Sequence, residues 1–350
     1  MGIIRVLFMA DTHLGFDFPF RPRIQRRRRG SDFFANYEKA LAPALNGKVD
    51  CVVHGGDILY RSKVPARLVD LAFEPLKRVA DNGVPVYLVP GNHERSAIPH
   101  GNLAQHPRIH IFDHPRTLTL QKDGFVVALA GFPFVRVGIR KNFLSLLDQT
   151  GWLRTKADAY LLCLHQCVEG ATVGPANFMF RYSHDVIRAT EIPPGFSAVL
   201  AGHIHRFQIL TKDLGGRSLA APVFYPGSIE RTSFAEKDEK KGYVTLGIET
   251  RGAAAGRLTH WKFHQLYARP MIQIELHAAA MTAGQLGSWI GNTLEELPPD
   301  SVVKLKVHGK ITAGAMDALR APCLRSLAPQ TMNVNATFTD YSFTSKRHKS

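Results

Sequence analysis

Apolar and polar positions along the chain repeat one theme, in which a short apolar run ends in a polar cluster and a helical stretch often follows. The first run, Ile3 to Ala10, is aliphatic and β-branched on both alternating faces and stops at Asp11-Thr12-His13-Leu14-Gly15. A strand apolar on both faces is covered on both sides, as in a parallel sheet held between other layers. Val49 to His54 repeats the pattern and ends at Gly55-Gly56-Asp57-Ile58-Leu59, and Val84 to Val89 ends at Pro90-Gly91-Asn92-His93-Glu94. Tyr160 to Leu164 runs into His165-Gln166, and the run from Phe196 to Ala201 into Gly202-His203-Ile204-His205.

The intervening stretches read as helices. Ser31-Asp32 opens one that continues through Phe33, Phe34, Tyr37, Ala40 and Leu41. Leu68, Leu71, Ala72, Leu76 and Val79 predict another over 65–82, broken or bent at Pro75. Leu118–Leu120 and Phe125–Leu129 predict a hairpin, followed by a helix around Asn142 to Gln149. Glu169 to Pro194 reads as a lid or binding loop rather than core. Strands dominate from Phe196 to about Leu266, interrupted by Tyr225 to Arg231 and by the charged run Glu236 to Lys241. The layout is that of an α/β fold, which gathers its site beyond the carboxyl ends of the strands.

Arg269-Pro270 marks a boundary. Strand (Met271 to Leu276), helix (Thr282 to Leu297), strand (Val302 to Val307), helix (Thr312 to Leu327) and strand (Met332 to Phe338) then form a small β-α-β-α-β unit. The expected division is a main domain over 1–266, a capping domain over 270–340 and a basic, flexible tail over 341–350.

At 350 residues with 45% hydrophobic content, the chain is composed like an ordinary globular protein, which excludes disorder as the default. The opening run is too short for a signal-peptide core or a membrane span. Cys51, Cys163, Cys167 and Cys323 form no disulfide or zinc-finger framework. The expectation is a soluble, cytoplasmic protein with reduced thiols. The net charge of +15 draws polyanions, nucleic acid first among them. Arg26, Arg27, Arg28 and Arg29 concentrate that charge in the loop before the first helix and are candidate contacts to DNA phosphates.

The strand ends together supply Asp11, His13, Asp57, Asn92, His93, His165, His203 and His205. His203 and His205 lie on one side of an extended backbone, roughly 7 Å apart, a span that reaches two different metal ions. With Asp57 shared, Asp11, His13 and His205 complete one ion, and Asn92, His165 and His203 complete the other. Two negative charges then face four positive ones, which suits a shared hydroxide and a phosphate ester. His93, next to a ligand, is directed toward the leaving group and can give it a proton. Imidazole, carboxylate and amide donors without thiolate favour Mn²⁺, Fe or Zn²⁺ over Cu⁺.

In their order over about residues 1–265, Asp11-Thr12-His13, Gly56-Asp57, Gly91-Asn92-His93-Glu94, His165 and Gly202-His203-Ile204-His205 resemble the calcineurin-like metallophosphoesterases. Asp11 to Gly15, His165-Gln166 and Tyr225-Pro226-Gly227-Ser228-Ile229-Glu230-Arg231, with the C-terminal cap, resemble the SbcD-type DNA repair exonucleases within that superfamily. The resemblance implies a four-layer α/β/β/α sandwich, two metal ions that are usually manganese, the ligands as assigned, and His93 as the catalytic histidine. It also implies DNA and a coiled-coil ATPase of the SMC type as partners; a second copy of the chain is a further expected partner. Tyr60 stands where some members carry a second site histidine, and Glu94 where Asp is commoner.

The expected function is therefore a dinuclear-metal-dependent DNA nuclease working in repair or end processing. One alternative is a phosphoesterase of the same fold acting on a nucleotide, cyclic nucleotide or phosphoprotein. The other is a non-catalytic DNA-binding scaffold, which the complete donor set disfavours. Phe16, Phe18, Phe20, Phe178, Phe180 and Tyr182 are read as packing residues rather than base-stacking ones, and His54 as structural.

Overall fold

The computed structural model describes residues 2–18, 26–94, 106–279 and 281–339, so Phe20 and the 341–350 tail lie outside the described residues. The chain divides into two compact units. One comprises the chain up to Phe18 with Gly30–Ala268, the other the segment ending at Arg29 with the chain from Arg269 on.

The larger unit is built on two six-stranded sheets. In the first, Ile3–Met9, Cys51–His54, Val86–Leu88 and Ile109–Ile111 run parallel in that order. Gly242–Glu249 and Leu258–Gln265 extend its other side antiparallel. The second has the order Gln208–Lys212, Ser218–Tyr225, Ala198–Gly202, Ala159–His165, Phe125–Gly131, Arg116–Lys122, parallel through its four central strands. Val6, Phe8, Cys51 and Val53 of the first sheet share one core with Leu129, Leu161, Cys163 and Leu200 of the second, so the sheets pack face to face.

Alternation sends Leu7, Met9 and Val52 to the other face, where they too are fully buried. That side is covered by the apolar stripes of helices Arg29–Leu45 and Ala66–Asp81. On the far face of the second sheet, Leu162, Leu164 and Val199 pack with Ile139, Phe143 and Leu147 of helix Ile139–Gln149. The result is the four-layer α/β/β/α sandwich, in which the central parallel strands are largely apolar on both faces because they lie between two layers.

Helix Ala66–Asp81 runs unbroken through Pro75, contrary to the expected break. Proline leaves the carbonyl four residues earlier without its helical partner, and that residue, Leu71, stands on the exposed face of the helix. The stretch Glu169 to Pro194 is also less loop-like than expected. Ala171, Val186, Ile187, Ala189 and Ile192 are buried in the outer core, and short ladders pair Thr172–Val173 with Phe178–Met179 and Cys167–Val168 with Val186–Ile187. Phe16 and Phe18 pack against Phe33 and Phe34.

The smaller unit has a three-stranded parallel sheet, Met271–His277, Val302–His308 and Asn333–Phe338. Its core joins Leu276, Val303, Leu305 and Val307 to Leu286, Ile290 and Leu294 of helix Ala283–Glu295, which opens with a Thr282/Gln285 capping box. The single helix expected over 312–327 is two, Ala313–Ala318 and Ala321–Leu327. Pro322 has no N–H to bond Ala318 O, so a continuous helix is interrupted and a new one starts after the extended Arg320 with the proline in its first turn. The arginine segment belongs here as well. Arg26 donates to the carbonyls of Arg325, Ala328, Pro329 and Met332, and the carbonyl of Arg27 accepts from Asn333. The Arg26 guanidinium is spent on backbone rather than presented for phosphate. No described helix is long and apolar enough to cross a membrane.

Candidate metal centre

The site begins where the parallel strands end. Past Met9 and His54 the two loops stay bonded to each other, Asp11 N donating to Gly56 O (2.9 Å), His13 N to Asp57 O (3.0 Å) and Leu14 N to Ile58 O (2.7 Å). Asp11, His13, Asp57 and His203 take left-handed backbone, with φ of 52°, 43°, 54° and 84°. Such conformations cost an L-residue of order 1–3 kcal/mol each and persist only where the surroundings impose them. The neighbouring strand ends approach so closely that a Cβ on Gly202 would meet Gly55 O at 2.1 Å, and one on Gly91 would meet Asp57 Oδ1 at 2.3 Å.

All eight residues expected at the site converge in the larger unit. His13 Nε2 and His205 Nε2 are 2.9 Å apart, and Asp11 accepts the backbone N–H of His203. Asn92 Oδ1 lies 3.1 Å from His165 Nε2 and 3.0 Å from His203 Nδ1. Asp57 sits between the two sets, with Oδ2 3.6 Å from His165 Nε2 and 3.8 Å from His93 Nε2, while Oδ1 accepts His93 N. A cavity of about 320 Å³ is lined by His13, Asp57, Asn92, His93, His203 and His205 together with Phe16, Tyr60 and Thr232, while Asp11 and His165 lie buried behind it. Phe134 meets His165 edge-on and lies tilted against His203.

Several supports were not legible in the sequence. Glu94 is buried and accepts the backbone N–H groups of Asp57, Leu59 and Gly91, fixing the loop that carries the central carboxylate. His54 accepts from Gly56 N through Nδ1, which leaves Nε2 to donate to the hydroxyl of Thr12, itself bonded to Ile58 O. The Tyr225 to Arg231 segment braces the second sheet's end. Tyr225 OH donates to Gln166 O and accepts Val168 N, and Ser228 N donates to His205 O. Glu236 accepts from His205.

Burial dominates the site's electrostatics. It lifts Asp11 to about 6 and, with the charge of Asp57, Glu94 to about 8. It lowers His13 and His203 to about 3, so both stay neutral and keep a lone pair. Burial works against the charges of Asp57 and His165, yet their mutual attraction wins. Asp57 is held well below the carboxylate range and His165 is raised to about 9.

This donor set fits divalent metal. Asp11 with His13 and His205, His13 with Asp57 and His93, and Asp11 with Asp57 and His165 each bring ligand atoms within 4.8 Å of one another. His165 donates from Nδ1 to Gly55 O (2.7 Å), which turns Nε2 toward Asn92 and Asp57, where it could ligate a metal.

A mixed α/β sandwich carrying this carboxylate, amide and imidazole cluster at its strand ends defines a metal-dependent phosphoesterase fold. Residues 4–207 match the calcineurin-like phosphoesterase family, and the chain belongs to it. It is 24% identical over 250 residues to the DNA double-strand break repair protein Mre11 of Saccharolobus solfataricus, covering 70% of this chain and 58% of that one. It is 28% identical over 323 residues to the Mre11 of Methanosarcina mazei, covering 87% and 45%. With the Mre11 of Thermoplasma acidophilum the identity is 23% over 326 residues, covering 87% and 77%. The chain thus spans about half the length of the first two relatives.

Proposed function

We propose that this protein is a dinuclear-metal-dependent DNA nuclease that hydrolyses phosphodiester bonds in repair or end processing. The observation that carries the reading is the cluster of candidate donors at the strand ends, with His13, Asp57, Asn92, His203, His205 and His93 lining one cavity and Asp11 and His165 buried behind it. Asp11, His13, Asp57 and His205 would hold one ion, and Asp57, Asn92, His165 and His203 the other. When bound, two divalent ions supply Lewis acidity toward a phosphate ester and an activated water.

The protein's own part is positional. Asp57 lies between the two ligand sets, and neutral His13 and His203 present lone pairs without competing protons. His93 stands at the cavity with Nε2 available to give a proton or hydrogen bond to the departing oxygen, a contribution of about 10²- to 10⁴-fold. Oxygen and imidazole donors without thiolate suit Mn²⁺, with Fe or Zn²⁺ as substitutes.

DNA is the proposed substrate, supported by the Mre11 relatives and by the net charge of +15. We assign phosphate contacts to Arg27, Arg28 and Arg29 and to the C-terminal unit, and withhold one from Arg26 because of its carbonyl bonds. A coiled-coil ATPase and a second copy of the chain are the proposed protein partners. Four unpaired cysteines accord with a cytoplasmic setting. Incubation with Mn²⁺ and end-labelled linear, hairpin and single-stranded DNA tests the reading. Hydrolysis of small phosphodiesters with every DNA left intact would overturn it.

A further inference from the structure

His205 is held from behind by a buried charge cluster that does not line the cavity. Its Nδ1 is 3.2 Å from Glu236 Oε1, while its Nε2 faces His13. Glu236 also accepts the Thr232 hydroxyl at 2.6 Å and pairs with Lys241 Nζ at 2.6 Å. Lys241 is 1% exposed, and its ammonium reaches Glu239 at 3.1 Å and His205 O at 2.8 Å as well. A buried ammonium persists only where it is paired and hydrogen-bonded, so this cluster is a built one.

A carboxylate paired with lysine can only accept, so His205 must donate from Nδ1, and its Nε2 lone pair is left on the cavity side. The other set is treated differently. There the Nδ1 of His165 has a neutral backbone carbonyl, Gly55 O, as its partner. An anionic partner makes an imidazole a stronger donor to metal than a neutral one does.

We propose that Glu236, fixed by Lys241, is a positioning residue that locks His205 as the Nδ1–H tautomer and tightens one metal position, that of Asp11, His13 and His205. The inference rests on His205 being a ligand, as in the proposed function. It makes the two positions unequal in what supports them.

Mn²⁺ titration of the purified full chain, wild type against Glu236→Ala and Glu236→Gln, tests this with no substrate present, while DNA cleavage tests the nuclease reading separately. In Glu236→Ala, affinity at one position should fall about 10- to 100-fold and the other should hold. Glu236→Gln, whose amide oxygen can still accept from Nδ1, should fall between. Wild-type affinity at both positions, or equal weakening of both, would overturn the proposal. A merely structural Glu236 would lower the melting temperature without separating the positions. Should Glu236→Ala fail to fold, Glu236→Gln decides by the same criteria.

Discussion

The Nε2 atoms of His13 and His205 stand 2.9 Å apart, although 192 positions separate the two residues in the chain. They are brought together because the parallel strands Ile3–Met9 and Ala198–Gly202 belong to facing sheets whose carboxyl ends meet. Asn92, His165 and His203 form the matching cluster from the same two sheets, and Asp57 lies between.

Asp57→Ala should abolish both metal retention and hydrolysis, because both ligand sets lose their common carboxylate. His93→Ala should keep its metals and lose about 10²- to 10⁴-fold in turnover. Metal analysis beside single-turnover DNA cleavage checks the pair. Full activity in a metal-loaded His93→Ala protein would remove the leaving-group role.

Metal affinity should rise with pH. In the metal-free protein Asp57 raises His165 to about 9, so His165 carries a proton at neutral pH. A ligand must be neutral, so binding releases that proton. Affinity therefore climbs about tenfold per pH unit between about 6 and about 9, more steeply below about 6 where Asp11 is protonated too, and then levels off. Calorimetry in buffers of different ionisation enthalpy counts the proton; a pH-independent Kd without proton release would contradict the assignment.

Glu94→Ala should destabilise the larger unit. It strips the buried N–H groups of Asp57, Leu59 and Gly91 of their acceptor. At about 1–3 kcal/mol for each buried donor left unpaired, the loss should total about 3 kcal/mol or more. Guanidinium unfolding, with an unchanged slope and a lower midpoint, is the expected result.

Two tests bear on the arginine segment. Arg26→Gln removes donors from the carbonyls of Arg325, Ala328, Pro329 and Met332 and should cost the smaller unit about 1–3 kcal/mol. Faster hydrogen exchange along Val302–His308 would report it. Joint replacement of Arg27, Arg28 and Arg29 with Gln should instead flatten the salt dependence of DNA binding, by about one unit of slope for each phosphate no longer neutralised. An unchanged slope would make the run a solvated loop.

The sequence by itself determined which polar side chains stand at the ends of the buried parallel strands, because the apolar pattern of those strands is local. It also determined the α/β class and the β-α-β-α-β plan of the smaller unit, since periods of two and near four are written into neighbouring residues. Only the tertiary structure decided the order of the strands, the continuity of the helix through Pro75 and the engagement of Arg26 with carbonyls. The same is true of the partnership of His205 with Glu236 and Lys241, which the sequence offered only as a charged interruption between strands. Hydrogen-bond partners separated by tens or hundreds of residues leave no periodic trace. A charged residue that is buried and paired looks, in the sequence, the same as one in water.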